Sequence, residues 1–419
     1  MNIAHGLLYW WPSVCDCQLT LYGITCLGPA GDFDFSQRAI EAERLEIGTA
    51  DLKKVKKLPV SSADWPTFRG NNKCTATTEA IITDKGDQLW QFTPKIAFTP
   101  TAPVTAGGLV FLSGSDGIVR AIDAATGEQR WIAYTGGGVR IPPTVWNGRL
   151  LVGSGDGWIY ALEAQTGQQL WRFRAAPEER KIPVYSALLS TWPVASGVLI
   201  EDGIAYFAAG ISNFDGTYVY ALDAETGRIK WQNNTSGHLN AEARTGVGVQ
   251  GHLLLNGGKL YLAGGNVVSP AVYDIRDGKC LNNGDLLNIC ESICLRGWEL
   301  FLVGDKVAVG GQPFYGDPDH PVADVTVTEK VLHASAGERD IIWLNNDKLR
   351  CYAPIEKQLL SDSVFERKYP GRHIIPSWGK LDIPDKPLWD YDCEGSVALA
   401  LGGNAVVIAK TSEIVALSL

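Results

Sequence analysis

The stretch RAIDAATGEQRW at residues 120–131 returns as YALEAQTGQQLW at 160–171 and as YALDAETGRIKW at 220–231. The first two copies stand 40 residues apart, and the third follows 60 residues later. Upstream of each lies a second shared piece: GGLVFLSGSDG at 107–117, NGRLLVGSGDG at 147–157 and DGIAYFAAGISNFDG at 202–216. A repeat of this length narrows the fold sharply. One unit is too small to bury its own faces, so successive units must bury each other.

Each unit reads as short β-rich runs separated by turns. LVFL and RLLV are strand-like, and SDG and GDG supply hairpin turns in which Gly117 and Gly157 can take positive φ. In DAATG, Asp123 can bond its own backbone two residues on while Gly127 takes the left-handed position. A tryptophan closes the unit on its outer strand: Trp131, Trp171 and Trp231, with Trp90 in LWQF as an earlier instance. Its flat surface suits docking on the neighbouring unit, and a docking residue in each unit accounts for 14 tryptophans beside a single methionine. The expected fold is therefore all-β. It is a seven- to eight-bladed β-propeller of four-stranded antiparallel blades with tryptophan-docking repeats.

Residues 1–419 read as one such propeller. The clearest repeats span 93–281, degenerate blades fill 282–419, and a helical or irregular insert at 29–64 follows a first strand pair. The C-terminal run SEIVALSL (412–419) has no tryptophan-bearing strand after it, so the strand around Trp90 is expected to pair with it and close the ring.

A net charge of −9 argues against nucleic acid, which is bound through a basic patch. The one basic run, Lys53, Lys54, Lys56 and Lys57, follows a cluster of acids and reads as a solvated helix face. No run is long and apolar enough for a membrane span. Nine cysteines include no C-x-x-C pair; buried thiols, or one or two disulfides, are the expected states.

The motif ALDAETG followed by tryptophan resembles the docking repeat of the pyrroloquinoline-quinone-like propeller superfamily. That superfamily includes quinoprotein alcohol dehydrogenases and the propeller lipoprotein of the outer-membrane β-barrel assembly machinery. DWPTFRGNN followed by LWQF is similar to the opening of many bacterial proteins with such repeats, and several segments look most like large planctomycete-type members. The resemblance is clear over residues 60–281. It implies a periplasmic or extracytoplasmic setting, although no signal peptide is visible in the chain.

Segments leading into the first strand of each unit line the expected central funnel. They offer Arg140, Tyr185, Ser186, Trp192, Glu242 and Arg244, two arginines with aromatic and hydroxyl groups that suit an anionic planar ligand. The dehydrogenases of the superfamily use a quinone, a caged calcium ion and commonly two adjacent cysteines. No two cysteines are adjacent here, and Glu242 and Asp215 stand as isolated acids. Asp317, Asp319 and His320 form the densest polar cluster, in a proline-bounded loop. The expectation is a non-catalytic propeller without cofactor or metal that binds or scaffolds a protein or small ligand. The alternatives are a divergent dehydrogenase using pyrroloquinoline quinone and calcium, and a C-terminal structural module of a longer polypeptide.

Overall fold

The structure is a computed structural model. It describes residues 2–10, 25–27, 38–83, 85–184, 187–240, 246–264, 268, 270–282, 299–303, 306–310, 332–335, 341–345, 348–352, 386–410 and 413–418. The chain is an all-β propeller, with one short α-helix, Glu41–Arg44, among the described residues.

The three clear repeats fold alike. In the first, Val104–Ala106, Leu109–Leu112, Ile118–Asp123 and Gln129–Tyr134 form one antiparallel sheet in chain order. The second runs from Thr144–Trp146 to Gln169–Arg174, and the third from Leu199–Glu201 to Ile229–Asn233. The register slips at the same point in each, at Ala121/Ile122, Ala161/Leu162 and Ala221/Leu222. The turn before the outer strand explains itself chemically. Asp123 Oδ1 accepts the N–H groups of Ala125 and Thr126 at 3.0 and 2.9 Å, while Gly127 sits at φ 74°.

That glycine is also where the next tryptophan lands. A Cβ on Gly127 would stand 2.6 Å from Trp90, and one on Gly167 would stand 2.5 Å from Trp131. Gly227 and Gly278 hold the same relation to Trp171 and Trp231. The indole N–H of Trp90, Trp131 and Trp231 donates to the carbonyls of Ala124, Ala164 and Ile275 at 2.8, 3.0 and 2.8 Å. Trp171 differs: it is fully buried, and its Nε1 has no acceptor. Between the 144–174 and 199–233 sheets the core is aromatic, with Phe173, Phe207 and Tyr220 in mutual contact.

Uniform four-stranded blades, seven or eight in number, are not what the described residues present. Of nine sheets, four reach four strands or more, and the other five hold two or three. The fourth repeat keeps the glycine turn at Gly278 but not the tryptophan: Leu281 stands in its place and is 45% exposed.

The region expected as a solvated helix is a strap instead. Gln232 of the 199–233 sheet brackets Ala39, accepting its N–H at 2.8 Å and donating to its carbonyl at 3.4 Å. Arg44, buried, donates to the Tyr220 hydroxyl at 3.2 Å. Leu45–Ile47 then adds a fifth strand to the 144–174 sheet, with Glu46 bridging Arg172 at 2.7 Å. Residues 52–59 pass beneath the hairpin turns, Arg149 donating to the Leu52 carbonyl and Leu58 filling the space beside Gly107. The lysine run is exposed, as its charge requires, but lies in irregular backbone.

Residues 64–82 cross the ring. The carbonyls of Trp65 and Pro66 accept the N–H groups of Thr105 and Val145, each at 2.8 Å. Asn72 donates to the Ile200 carbonyl at 2.7 Å and accepts the Leu255 N–H at 2.8 Å. Cys74 packs against Leu254, Leu300 and Val307. Thr77 pairs with Leu401 in parallel, and Asn404 brackets Ile82 with two bonds of 2.8 Å. One segment therefore ties together the first strands of five sheets.

This corrects the closure expected from sequence. Ile414–Ser418 pairs, among the described residues, with Ala405–Lys410 alone. Residues 87–94 form no strand; Trp90 docks as the other tryptophans do, while residues 76–82 join the C-terminal sheet through its first strand. Residues 76–80 take the opposite edge of that sheet, the Ala76 and Ala80 carbonyls accepting the N–H groups of Leu401 and Gly403, and the exposed Leu89 offers no burial that would draw residues 87–94 onto Ile414–Ser418.

Candidate functional site

The loops entering the first strands gather at one end of the ring. Gly136–Gly138 fold over Asp156, whose carboxylate accepts the Gly136 N–H at 2.8 Å and the Tyr160 hydroxyl at 2.5 Å. A side chain on Gly137 would meet the Asp156 backbone at 2.6 Å, so this loop packs only as glycine. Burial and the adjacent Asp156 charge push the Tyr160 hydroxyl well above the usual tyrosine range. Arg172 lies 4.4 Å over the Trp158 ring. The strap's Glu46 holds that guanidinium in its charged form.

A second cluster surrounds Trp192. The indole is fully buried and donates to the Asp215 carbonyl at 2.6 Å. Arg180 stands 5.4 Å from its ring centre and bridges Glu178 at 3.1 Å. The Asp215 carboxyl is pushed up by burial, with Arg180 and His238 opposing the shift. Tyr218 meets Trp192 edge-on at 6.4 Å.

At the ring centre, Arg69 takes a left-handed backbone conformation, φ 53°, and its guanidinium lies 5.4 Å from the Phe68 ring centre. Phe68 in turn packs edge-on to His252 at 4.9 Å. The Leu300 N–H donates to His252 Nε2 at 3.0 Å, which puts the proton of the neutral ring on Nδ1. Burial, with Arg69 adding to it, holds His252 well below the usual histidine range.

Of the six funnel residues expected from sequence, the structure describes two. Arg140 is exposed on the loop that Val139 and Gly138 anchor to Gly114 and Gly155. Trp192 is enclosed, so its ring is a wall between Arg180 and Tyr218 and presents no open platform. Tyr185, Ser186, Glu242 and Arg244 lie outside the described residues, as do Asp317, Asp319 and His320. Sequence reading passed over Asp156, Arg180 and the whole 64–82 segment. Asp156 was hidden inside a turn motif, and nothing in DWPTFRGNN marks it as a crossing segment before its partners are known.

Among the described residues, no three His, Cys, Asp or Glu side chains converge as metal ligands. Cys74, Cys280, Cys351 and Cys393 are thiols, and burial pushes Cys280 up to about 11.

A family model described as outer membrane protein assembly factor BamB matches residues 76–308. A quinoprotein alcohol dehydrogenase of Pseudomonas putida is 33% identical over 70 residues, 17% of this chain and 11% of the enzyme. The matched stretch thus spans about a tenth of that relative. In structure, a quinohemoprotein alcohol dehydrogenase from Pseudomonas putida is similar with a TM-score of 0.52 at 12% identity, covering 85% of this chain and 71% of that one. The quinohemoprotein alcohol dehydrogenase of Comamonas testosteroni gives 0.51 at 14% identity, covering 88% and 73%. At these identities the likeness is one of fold.

Proposed function

We propose, from the premise that this chain belongs to the quinoprotein-like propeller family described as outer membrane protein assembly factor BamB, that it is a non-catalytic module that binds or scaffolds another protein. The observation that carries this reading is a braced ring. Residues 64–82 bond to the first strands of five sheets, at Thr105, Val145, Ile200, Leu255 and Leu401, beside the turns that leave those strands, which suits a rigid scaffold.

The donor set supports the same reading. A calcium ion seeks several convergent oxygens that nothing else engages. Asp156 is taken by a tyrosine hydroxyl and a backbone N–H, and Asp215 faces Arg180 and His238, which are cations or donors. These two carboxylates do not fit a quinone–calcium pair. What the mouth offers instead is relief and charge: the exposed Arg140, the Glu178–Arg180 pair and the exposed Leu188 of the strand Ala187–Ser190. A periplasmic or extracytoplasmic location goes with the family description and is part of the proposal.

A second reading, a divergent dehydrogenase, draws on the 33% identity to the Pseudomonas putida enzyme. One assay separates the two. Purified protein is incubated with pyrroloquinoline quinone and calcium, then offered alcohols and sugars with a reducible dye. The expected rate equals that of free quinone. Turnover above it, abolished by chelation, overturns the non-catalytic reading.

A further inference from the structure

We propose that the outer edge of the 104–134 sheet, strand Gln129–Tyr134, is a self-association surface that pairs antiparallel with the same strand of a second copy of this chain. This is independent of what the mouth binds.

The three clear sheets have equivalent outer strands, and the chain itself covers two of them. On the 199–233 sheet, Gln232 brackets Ala39 and the Ile229 N–H donates to Glu41 at 2.7 Å. On the 144–174 sheet, Leu45–Ile47 is a paired strand, with Arg172 opposite Glu46, and the Leu170 carbonyl accepts the Gly48 N–H at 2.7 Å. Gln129–Tyr134 lies 40 residues before Gln169–Arg174 and repeats its bulge and its docked tryptophan. Among the described residues no strand covers it, because the strap turns away beneath the hairpin turns before reaching it.

An uncovered edge is ordinarily blunted by lysine, proline or a charge that no partner strand tolerates. This strand reads Gln-Arg-Trp-Ile-Ala-Tyr and contains neither lysine nor proline. Trp131 and Ala133 face the core, while Arg130, Ile132 and Tyr134 face outward together. Ile132 is 40% exposed and Tyr134 69%.

The outward residues are complementary to themselves. If two copies pair about Ile132, that residue faces its own equivalent, and Arg130 of each copy faces Tyr134 of the other. The Arg130 guanidinium can lie on the tyrosine ring while keeping its 2.6 Å bond to Asp123. Because the axis is twofold, pairing consumes both edges and assembly stops at two. Another open edge, Ile414–Ser418, presents no such charge–aromatic match and serves as a control.

Sedimentation of the purified protein over a rising concentration series tests this. The expected result is a mass that moves from one chain toward two. Tyr134→Lys sets a lysine against Arg130 twice over, so the dissociation constant should rise about tenfold. Tyr134→Glu should preserve the dimer by pairing with Arg130. Under mild oxidation Ile132→Cys should crosslink to itself across the axis, and Ile414→Cys should not. These positions are on the surface, so unchanged melting temperatures will show that the variants fold. A mass of one chain throughout overturns the proposal, as does a dimer indifferent to Tyr134→Lys, growth beyond two copies, or equal crosslinking at the two cysteines.

Discussion

Among the four docking tryptophans, Trp171 allows the sharpest test, because it is fully buried and yet makes no hydrogen bond. Truncation to alanine removes an indole from contact with Phe173, Leu45 and the Gly227 turn, where a Cβ would already touch the ring at 2.8 Å. Burying such a side chain removes roughly 200 Å² from water, about 5 kcal/mol at 25 cal/mol per Å². Measured Trp→Ala costs of about 3–5 kcal/mol agree. For a chain of 419 residues, an unfolding entropy near 2.1 cal/mol/K per residue turns that into a fall of roughly 3–6 °C in melting temperature. Phenylalanine makes the discriminating variant. In Trp131→Phe the bond to Ala164 is lost, about 1 kcal/mol, on top of lost packing. In Trp171→Phe the change deletes a buried donor that has no acceptor, which offsets the lost packing by about 1–3 kcal/mol. Differential scanning calorimetry should therefore find Trp171→Ala strongly destabilised but Trp171→Phe milder than Trp131→Phe. An unchanged melting temperature in Trp171→Ala refutes the docking assignment, and the reverse order of the two phenylalanine variants refutes the hydrogen-bond reasoning.

Two further outcomes are expected. Asp123 and Asp274 are each held down to about 2, first by Arg130 and Arg276 respectively, so their contribution is complete above the ordinary carboxylate value of 3.8 and is lost as pH falls through about 2. Acid unfolding followed by tryptophan fluorescence should be less steep below pH 4 in Asp123→Asn, and an identical curve would contradict the pairing. At the ring centre, Asn404→Ala removes both bonds to Ile82, costing about 1–2 kcal/mol, and should speed hydrogen exchange at the Thr78 and Leu401 amides, which depend on the same junction. Exchange unaltered at both amides would show that residues 76–82 do not close the ring there.

The repeat, the turns and the docking tryptophans were legible because they are local or nearly so. A glycine that must take positive φ, an aspartate that bonds two residues ahead and an indole at a constant offset each leave a mark at a fixed place in every copy. Those marks determined a β-propeller of this superfamily, with Trp90, Trp131 and Trp231 docked in one way. The mouth was legible only in outline. Trp192 lies in a loop leading into a first strand, but its complete burial depends on Arg180, Tyr218 and Asp215, which come from separate parts of the chain.

What only the tertiary structure decided was where the non-repeating residues 38–82 go. Their side chains carry no period, and their hydrogen-bond partners stand up to 322 residues away, as Ile82 and Asn404 do. Backbone groups along such a segment must be satisfied somewhere, yet the sequence of the segment does not say by which sheet. Folding resolved it by letting Leu45–Ile47 extend one blade and residues 64–82 tie together the first strands of five sheets. The segment around Trp90 was left to dock through its indole alone. Repetition fixes what each unit must be, whereas the closure of a ring depends on which distant backbone groups remain open once the units have assembled.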